Sequence, residues 1–289
     1  MIRLLLDETR PRQWIKNLFV LAPLLFGRRL GDGDAVLSAS LAVVCFILLS
    51  GATYIVNDVL DAPVDRLHPR KRLRPIASGR LPRSNALIAA AVLLIGGLSL
   101  AGLLGWEFLW IALAYAGLTA CYSILVRQVV ILDVLVIAAG FVLRVIAGAA
   151  AVQVGATHWL IVCTFVLALF LGFAKRRQEL LNLPDSAGEH RTVLNHYSVK
   201  LLDQIIIVVL GVAIVSYMLY TVSPETVARF GTGATLYGTV FVIYGLLRYL
   251  VLIQDPSSSG DPAELLIRDK PLGLCLLGWV GYNVLVIYV

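Results

Sequence analysis

Residues 35–65 read AVLSASLAVVCFILLSGATYIVNDVLDAPVD: roughly 20 apolar residues, enough to cross a ~30 Å hydrocarbon core as a helix, and then three aspartates. The run does not alternate, so it is not the strand of a membrane barrel. Similar runs recur along the chain, which is 59% hydrophobic, only 15% charged and has a mean hydropathy of +0.87. An ordinary soluble domain carries about 25% charged residues, so the apolar excess must face lipid. Runs bounded by charge, Gly or Pro give nine candidate helices, near 13–29, 34–57, 84–104, 107–126, 130–152, 158–175, 200–222, 234–254 and 271–288. The third and fourth are joined only by a tight link around Gly105 and should form an antiparallel hairpin. The expected fold is an all-α, polytopic membrane bundle of nine transmembrane helices in a single domain, 1–289.

Basic residues in the loops set orientation. Of the 24 Lys and Arg residues, Arg28, Arg29 and Arg229 fall on one side, Arg144 lies inside a span and the rest gather on the other side. The N-terminus is therefore expected in the cytoplasm, together with the two functional loops, 58–83 and 176–199, where chemistry should be sought. In a chain of this kind the net charge of +6 suits anionic headgroups or phosphorylated substrates, and nucleic acid is not expected. Cys45, Cys121, Cys163 and Cys275 are scattered through apolar runs without a CxxC pair, as core-packing cysteines would be. Residues 1–11 lack the features of a secretory signal and read as a short helix on the membrane surface.

At the end of the second span, Asp58, Asp61 and Asp65 are spaced by three and four, so in a helix their carboxylates share one face with Asn57 beside them. Clustered carboxylates repel one another unless a cation lies between them, and hard oxygen ligands at this spacing suit Mg²⁺. Pro63 disturbs regular helix geometry here. The plain alternative is a solvated helix end with Asp65 paired to Arg66. Against it stands the continuation, Arg66, Arg70, Lys71, Arg72 and Arg74, then Pro75 to Gly79. Carboxylates for a metal beside cationic groups for phosphate oxygens are what a Mg²⁺-diphosphate needs. His68 has no nearby His or Cys and reads as a surface residue. The sixth span ends in Lys175, Arg176 and Arg177, then Gln178 and Glu179, which by spacing alone reads equally as an orientation anchor or a phosphate grip.

The pattern Asn57-Asp58-x-x-Asp61-x-x-x-Asp65, followed by Arg74-Pro75-x-x-Ser78-Gly79, resembles the first signature of the UbiA superfamily of intramembrane prenyltransferases. The likeness extends over nearly the whole chain and includes Tyr122-Ser123 at the close of the fourth span. Most of that family carries a second Asp-rich motif after the sixth span, where this chain has Lys175 to Glu179 instead. The sequence is similar to the branch of decaprenyl-phosphate phosphoribosyltransferases, with further matching stretches at Arg10–Asn17, Asp133–Leu135, Gly140–Arg144 and Arg248–Leu250.

That resemblance implies a UbiA-like bundle in the plasma membrane, with an active-site cavity open to the cytoplasmic face. It also implies Mg²⁺-dependent transfer of 5-phosphoribose from phosphoribosyl diphosphate to a polyprenyl (decaprenyl) phosphate, toward the lipid-linked donor for cell-wall arabinan. On this reading Asp58, Asp61 and Asp65, assisted by Asn57, hold the metal on the leaving diphosphate. Lys71, Arg72 and Arg74 hold the diphosphate or the 5-phosphate, and Lys175, Arg176 and Arg177 hold the remaining phosphate. Tyr122 either donates a hydrogen bond into the site or is an interfacial aromatic, and Lys16 either reaches the site or snorkels to headgroups. Arg144, within the fifth span, needs a polar cavity or a partner and is expected on the cavity wall. The expected partners are the two substrates and the bilayer, with a homo-oligomer left open. Two rival readings are a prenyltransferase acting on an aromatic or tetrapyrrole acceptor, opposed by the missing second Asp motif, and a secondary transporter, which would place its ionisable groups near mid-membrane on broken helices.

Overall fold

The computed structural model describes residues 1–67, 71–182, 196–255 and 261–289, and these are helices and turns without strands. His68, Arg70, Arg191 and residues 183–195 of the second polar loop lie outside them. Eight helical segments are long and apolar enough to cross a membrane. The chain divides into two compact units, Met1–Val126 with Leu143–Gly155, and Arg127–Val142 with Ala156–Val289.

In the first unit, α1 (Ile2–Glu8) leads into a 3-10 helix over Pro11–Leu21 and then α2 (Ala22–Phe26). This is the stretch expected as the first regular span, and it takes a different form. At ~2.0 Å per residue for the 3-10 part and ~1.5 Å for the α part it still reaches roughly 30 Å. Its tighter coil accompanies two close approaches. Asn17 is buried and turns toward Ser50 and Arg144, and a Cβ on Gly148 would lie 2.0 Å from the Val20 carbonyl oxygen.

The long helix α3 (Gly33–Asp65) begins at Asp32, whose carboxylate accepts from the backbone N–H groups of Asp34 and Ala35. It continues through Pro63, so the aspartate spacing survives the proline. A helix of 33 residues is ~50 Å long, which carries its last turns past a ~30 Å apolar slab. α4 (Arg83–Leu104) buries only Ala86, Ala90, Gly97 and Ala101, small residues spaced so that one helix face meets α3 closely. A Cβ on Gly97 would sit 2.8 Å from Leu49, and the Cys45 thiol donates to the Gly97 carbonyl at 3.1 Å. Ile88, Val92, Ile95 and Leu103 on the same helix are exposed, as lipid contact requires. Gly105, at φ 122, makes the tight link to α5 (Trp106–Ile124) that the sequence led us to expect. Phe46 packs against Phe108 and Tyr115, which anchors α5 to α3. Cys45 is in this core, whereas Cys121 is exposed and does not pack as expected.

In the second unit, the start of α6 (Leu132–Ala151) packs with α7 (His158–Leu181), α8 (Val199–Val222) and α10 (Thr239–Leu252). Val134, Phe170, Phe173, Leu202, Ile206 and Tyr249 form its core, and Gly172 leaves room for Val134. Thr157 and Ser198 cap α7 and α8 through their hydroxyls. α9 (Pro224–Phe230), α11 (Pro262–Arg268) and α12 (Lys270–Tyr288) complete the unit. Asp269 caps α12 by accepting from Leu272 N at 2.8 Å and also takes both Arg248 donors, Nε at 3.2 Å and Nη2 at 2.7 Å. The Arg248 guanidinium holds the Asp269 carboxyl below the usual carboxylate range.

Candidate active site

The last turns of α3 bring Asp58 and Asp65, two helical turns apart, onto one buried face. Arg74, from the loop after α3, donates through Nη1 to Asp58 Oδ1 at 2.9 Å and to Asp65 Oδ2 at 2.7 Å. Arg10 reaches the same Asp58 oxygen from the N-terminal segment, with its guanidinium 4.9 Å from the centre of the Tyr54 ring. Lys71 Nζ lies 3.9 Å from Asp65 Oδ1. Asp61 is half-buried, and Lys71 and Arg72 are exposed on the short 3-10 turn Lys71–Leu73.

The loop from Arg74 to Leu81 is itself a fixed object. Ser78 N donates to Arg74 O, Gly79 N to Ile76 O and Leu81 N to Pro75 O, with Gly79 at φ 77 where a side chain would be strained. Arg66 Nε donates to Ala77 O at 3.1 Å and Arg80 Nη2 to Leu73 O at 2.6 Å. Ile76 and Leu81 are buried with Ile55 and Ala62 of α3. Arg66 therefore serves the loop and does not form the Asp65 pair that the plain alternative required.

Two residues that sequence reasoning did not assign to the site belong to this cluster, Glu8 and Arg10. Glu8 is 2% exposed, and its Oε1 accepts from Ile76 N at 2.9 Å. Burial, reinforced by a hydrogen bond shared with Asp58, pushes its carboxyl up to about 7. The adjacent acids Asp7 and Glu8 near the chain start have no spacing signal that would mark one of them. Arg10 did carry one, since it opens the Arg10–Asn17 stretch of the resemblance.

Two oxygens in this cluster are left over. Asn57 Oδ1 and Asp58 Oδ2 are buried and, while Glu8 is ionised, have no hydrogen-bond partner among the described residues. Buried acceptors are costly to leave unmet, so such a pair needs an explanation. Among the described residues no three His, Cys, Asp or Glu side chains gather as a metal cage. The donor set on offer is one carboxylate oxygen and one amide oxygen, with the half-buried Asp61 carboxylate one turn further along α3. It fits a Mg²⁺ that draws most of its remaining ligands from substrate and water.

Deeper in the same unit, Arg144 is 6% exposed and donates through Nε to Asn17 Oδ1 at 2.9 Å and through Nη2 to the Tyr115 hydroxyl at 2.7 Å. Asn17 in turn donates to Ser50 Oγ at 3.3 Å, and the guanidinium lies 4.6 Å from the Tyr115 ring centre. Lys16 is half-buried on the 3-10 helix, and Tyr122 is half-buried on the last turn of α5.

The second unit holds the other basic cluster at the end of α7. Arg176 donates through Nε to Asp133 Oδ2 at 2.6 Å and through Nη1 to Glu179 Oε2 at 2.5 Å. Asp133 has no exposure, and Tyr197, whose hydroxyl accepts from Ile131 N at 2.6 Å, stands 3.4 Å from its other oxygen. Arg177 donates through Nε to Asp203, through Nη1 to the Ile253 carbonyl at 2.8 Å and through Nη2 to Gln254 at 2.9 Å. Both arginines are buried and already meet carboxylates, while Lys175 is the more exposed of the three and lies 3.6 Å from Asp261.

The chain belongs to the UbiA prenyltransferase family, whose profile matches residues 19–267, and it is an integral membrane transferase. Within that class it is similar to the decaprenyl-phosphate phosphoribosyltransferase of Mycolicibacterium smegmatis, 30% identical over 96% of this chain and 90% of that one. The protein of the same description from Corynebacterium glutamicum is 28% identical over 99% of this chain and 87% of its own. In fold the chain is similar to a UbiA homolog from Archaeoglobus fulgidus bound to GPP and Mg²⁺. The TM-score is 0.74 at 18% identity, covering 99% of this chain and 100% of that one.

Proposed function

We propose that the protein transfers 5-phosphoribose from phosphoribosyl diphosphate to a polyprenyl phosphate of the decaprenyl type, with Mg²⁺, at the cytoplasmic face of the plasma membrane. The product would be a lipid-linked phosphoribose that serves as a precursor of cell-wall arabinan. The observation that carries the reading is at Asp58, where Oδ1 meets two guanidinium groups while Oδ2, like the neighbouring Asn57 Oδ1, is buried and, with Glu8 ionised, without a partner among the described residues. Carboxylates beside three cations, Arg10, Lys71 and Arg74, with Arg72 on the same turn as Lys71, suit a metal-bound diphosphate. The names of the chain-length relatives supply the ribose and the lipid.

Asn57 and Asp58 would hold the ion, with Asp61 one turn away as the further carboxylate on its side. When bound, Mg²⁺ offsets the negative charge that builds on the diphosphate as its bond to ribose stretches. Asp65 keeps Arg74 and Lys71 in place, and the four cations take the oxygens of the diphosphate or the 5-phosphate. An oxygen of the lipid phosphate bonds to ribose C1 while the C1–O bond to diphosphate breaks, its electron pair leaving with the diphosphate. The attacking phosphate is already ionised at pH 7, so no general base is required and catalysis is placement and charge neutralisation.

Lys16, Tyr122 and Arg144 would line the substrate cavity, Arg144 being held by Asn17 and Tyr115. Lys175 would meet a phosphate of the second substrate. Arg176 and Arg177, each already on a carboxylate, would support that role chiefly by fixing the end of α7. In this reading residues 1–289 act as a single catalytic domain, with Pro11–Phe26 as a ninth crossing.

Membranes containing the protein should convert labelled phosphoribosyl diphosphate and polyprenyl phosphate to a phosphoribosylated lipid, identified by mass spectrometry. Labelled product only from a prenyl diphosphate and an aromatic acid would replace this reading with ordinary prenyl transfer.

A further inference from the structure

The segment Glu8–Arg10 docks on the cluster at two points, and each is made by a different chemistry. Arg10 supplies charge to Asp58, whereas Glu8 supplies an acceptor to a backbone N–H. That N–H belongs to Ile76, the first residue after Pro75, which has no N–H of its own to give. Ile76 is buried, and two residues before it stands Arg74, which bridges Asp58 and Asp65. Between the two docking points, Thr9 is buried with its methyl against Gly51 of α3, where a Cβ would lie 3.3 Å from it. The Thr9 carbonyl also accepts from Trp14 Nε1 at 3.2 Å. The segment is thus clamped to α3 on one side and to the Arg74 loop on the other.

We infer that Glu8 is a positioning residue, which holds the Arg74–Gly79 loop against α3 and so sets Arg74 between the two buried aspartates. The N-terminal helix is then part of the anion subsite and not only a membrane-surface anchor. Pro75 at the loop's start and Gly79 at its end fix the backbone turn, but neither fixes the distance of that turn from α3. Arg66, through the Ala77 carbonyl, and the packing of Ile76 and Leu81 tie the turn to α3, and Glu8 adds a tie from outside both elements.

The inference rests on the proposed function only for its kinetic arm, and hydrogen exchange tests it without substrate. In the full-length protein in nanodiscs, Glu8→Ala should speed amide exchange of peptides covering 74–81 about tenfold, with peptides from α8 unchanged. Glu8→Asp, a carboxylate one methylene shorter, should do the same. Glu8→Gln still offers Oε1 to Ile76 and should exchange like the wild type. In kinetics, Glu8→Ala should raise KM for phosphoribosyl diphosphate about tenfold with a smaller change in kcat, and Glu8→Gln should restore it. Unchanged exchange at 74–81 in both Glu8→Ala and Glu8→Asp, or a Glu8→Gln protein that exchanges like them, would overturn the assignment. A wild-type protein that does not use phosphoribosyl diphosphate would instead overturn the proposed function, and the exchange result would still decide the role of Glu8.

Discussion

Arg74 Nη1 lies 2.7 Å from Asp65 Oδ2, and this ion pair ties the last turn of α3 to the loop that follows it. Asp65 is 3% exposed, so removing Arg74 leaves a buried carboxylate with only Lys71, 3.9 Å away, to offset it. Arg74→Ala is expected to cost about 2–3 kcal/mol, below the fully buried case because Arg74 is partly exposed. It should also lower kcat/KM about 100-fold. Arg74→Lys should recover part of the stability but not the kinetics, because an ammonium lacks the planar fork that meets phosphate oxygens. Thermal unfolding and steady-state kinetics of the two variants separate these effects.

Asp58→Asn keeps the side chain's shape but removes the charge that the proposed Mg²⁺ requires, and turnover should fall about 10³-fold, with a lower unfolding midpoint because Arg10 and Arg74 lose a shared carboxylate. Asp61→Asn should also lower turnover by orders of magnitude. Chelation should abolish activity and added Mg²⁺ should restore it. Undiminished turnover in excess chelator would remove the metal from the mechanism.

Arg176 and Asp133 make a different kind of prediction, because both are buried in the second unit. Arg176→Gln is expected to destabilise by about 3–5 kcal/mol, the cost of leaving Asp133 uncompensated. Adding Asp133→Asn should recover more than half of that loss. An Arg176→Gln protein with an unchanged unfolding midpoint and a weakened affinity for the lipid phosphate would instead make Arg176 a direct substrate ligand.

Gly148 and Gly172 differ in what a methyl group would meet. At Gly148 it is the Val20 carbonyl at 2.0 Å, part of a backbone that has no rotamer to change, whereas at Gly172 it is a Val134 methyl at 2.6 Å. Gly148→Ala should therefore cost about 3 kcal/mol or more, and Gly172→Ala about 1–2 kcal/mol. Thermal unfolding in detergent would rank them, and equal losses would mean that the Pro11–Leu21 segment can shift away from α6.

The spans were readable because lipid imposes a simple condition on composition, and eight of them appear among the described residues as helical segments long enough to cross, one of them opening in 3-10 form before α10. Residues 13–29 met the same condition, yet what shapes them is tertiary. Asn17 serves Arg144 from 127 positions away, and the Val20 carbonyl leans on Gly148. The shared face of Asp58 and Asp65 was readable from helical spacing, and α3 continues through Pro63 to preserve it. Which cations meet those carboxylates was not readable, since Arg10 and Arg74 arrive from separate segments. The same holds at the end of α7. Three consecutive cations suggested free charge, but Asp133 and Asp203, 43 and 26 positions away, occupy two of them. Charge pairing across such separations depends on how the helices pack, which residue spacing does not encode.

Asp269 caps one helix and grips a guanidinium from another with the same two oxygens. Because Arg248 holds its carboxyl low, the arrangement tolerates mild acid and is lost only as pH falls through that lowered value. A single proton there would weaken two joints together, the cap on the first turn of α12 and the ion pair with Arg248 of α10. The cap of α12 and the tie to Arg248 thus share one carboxylate and should weaken over the same pH range.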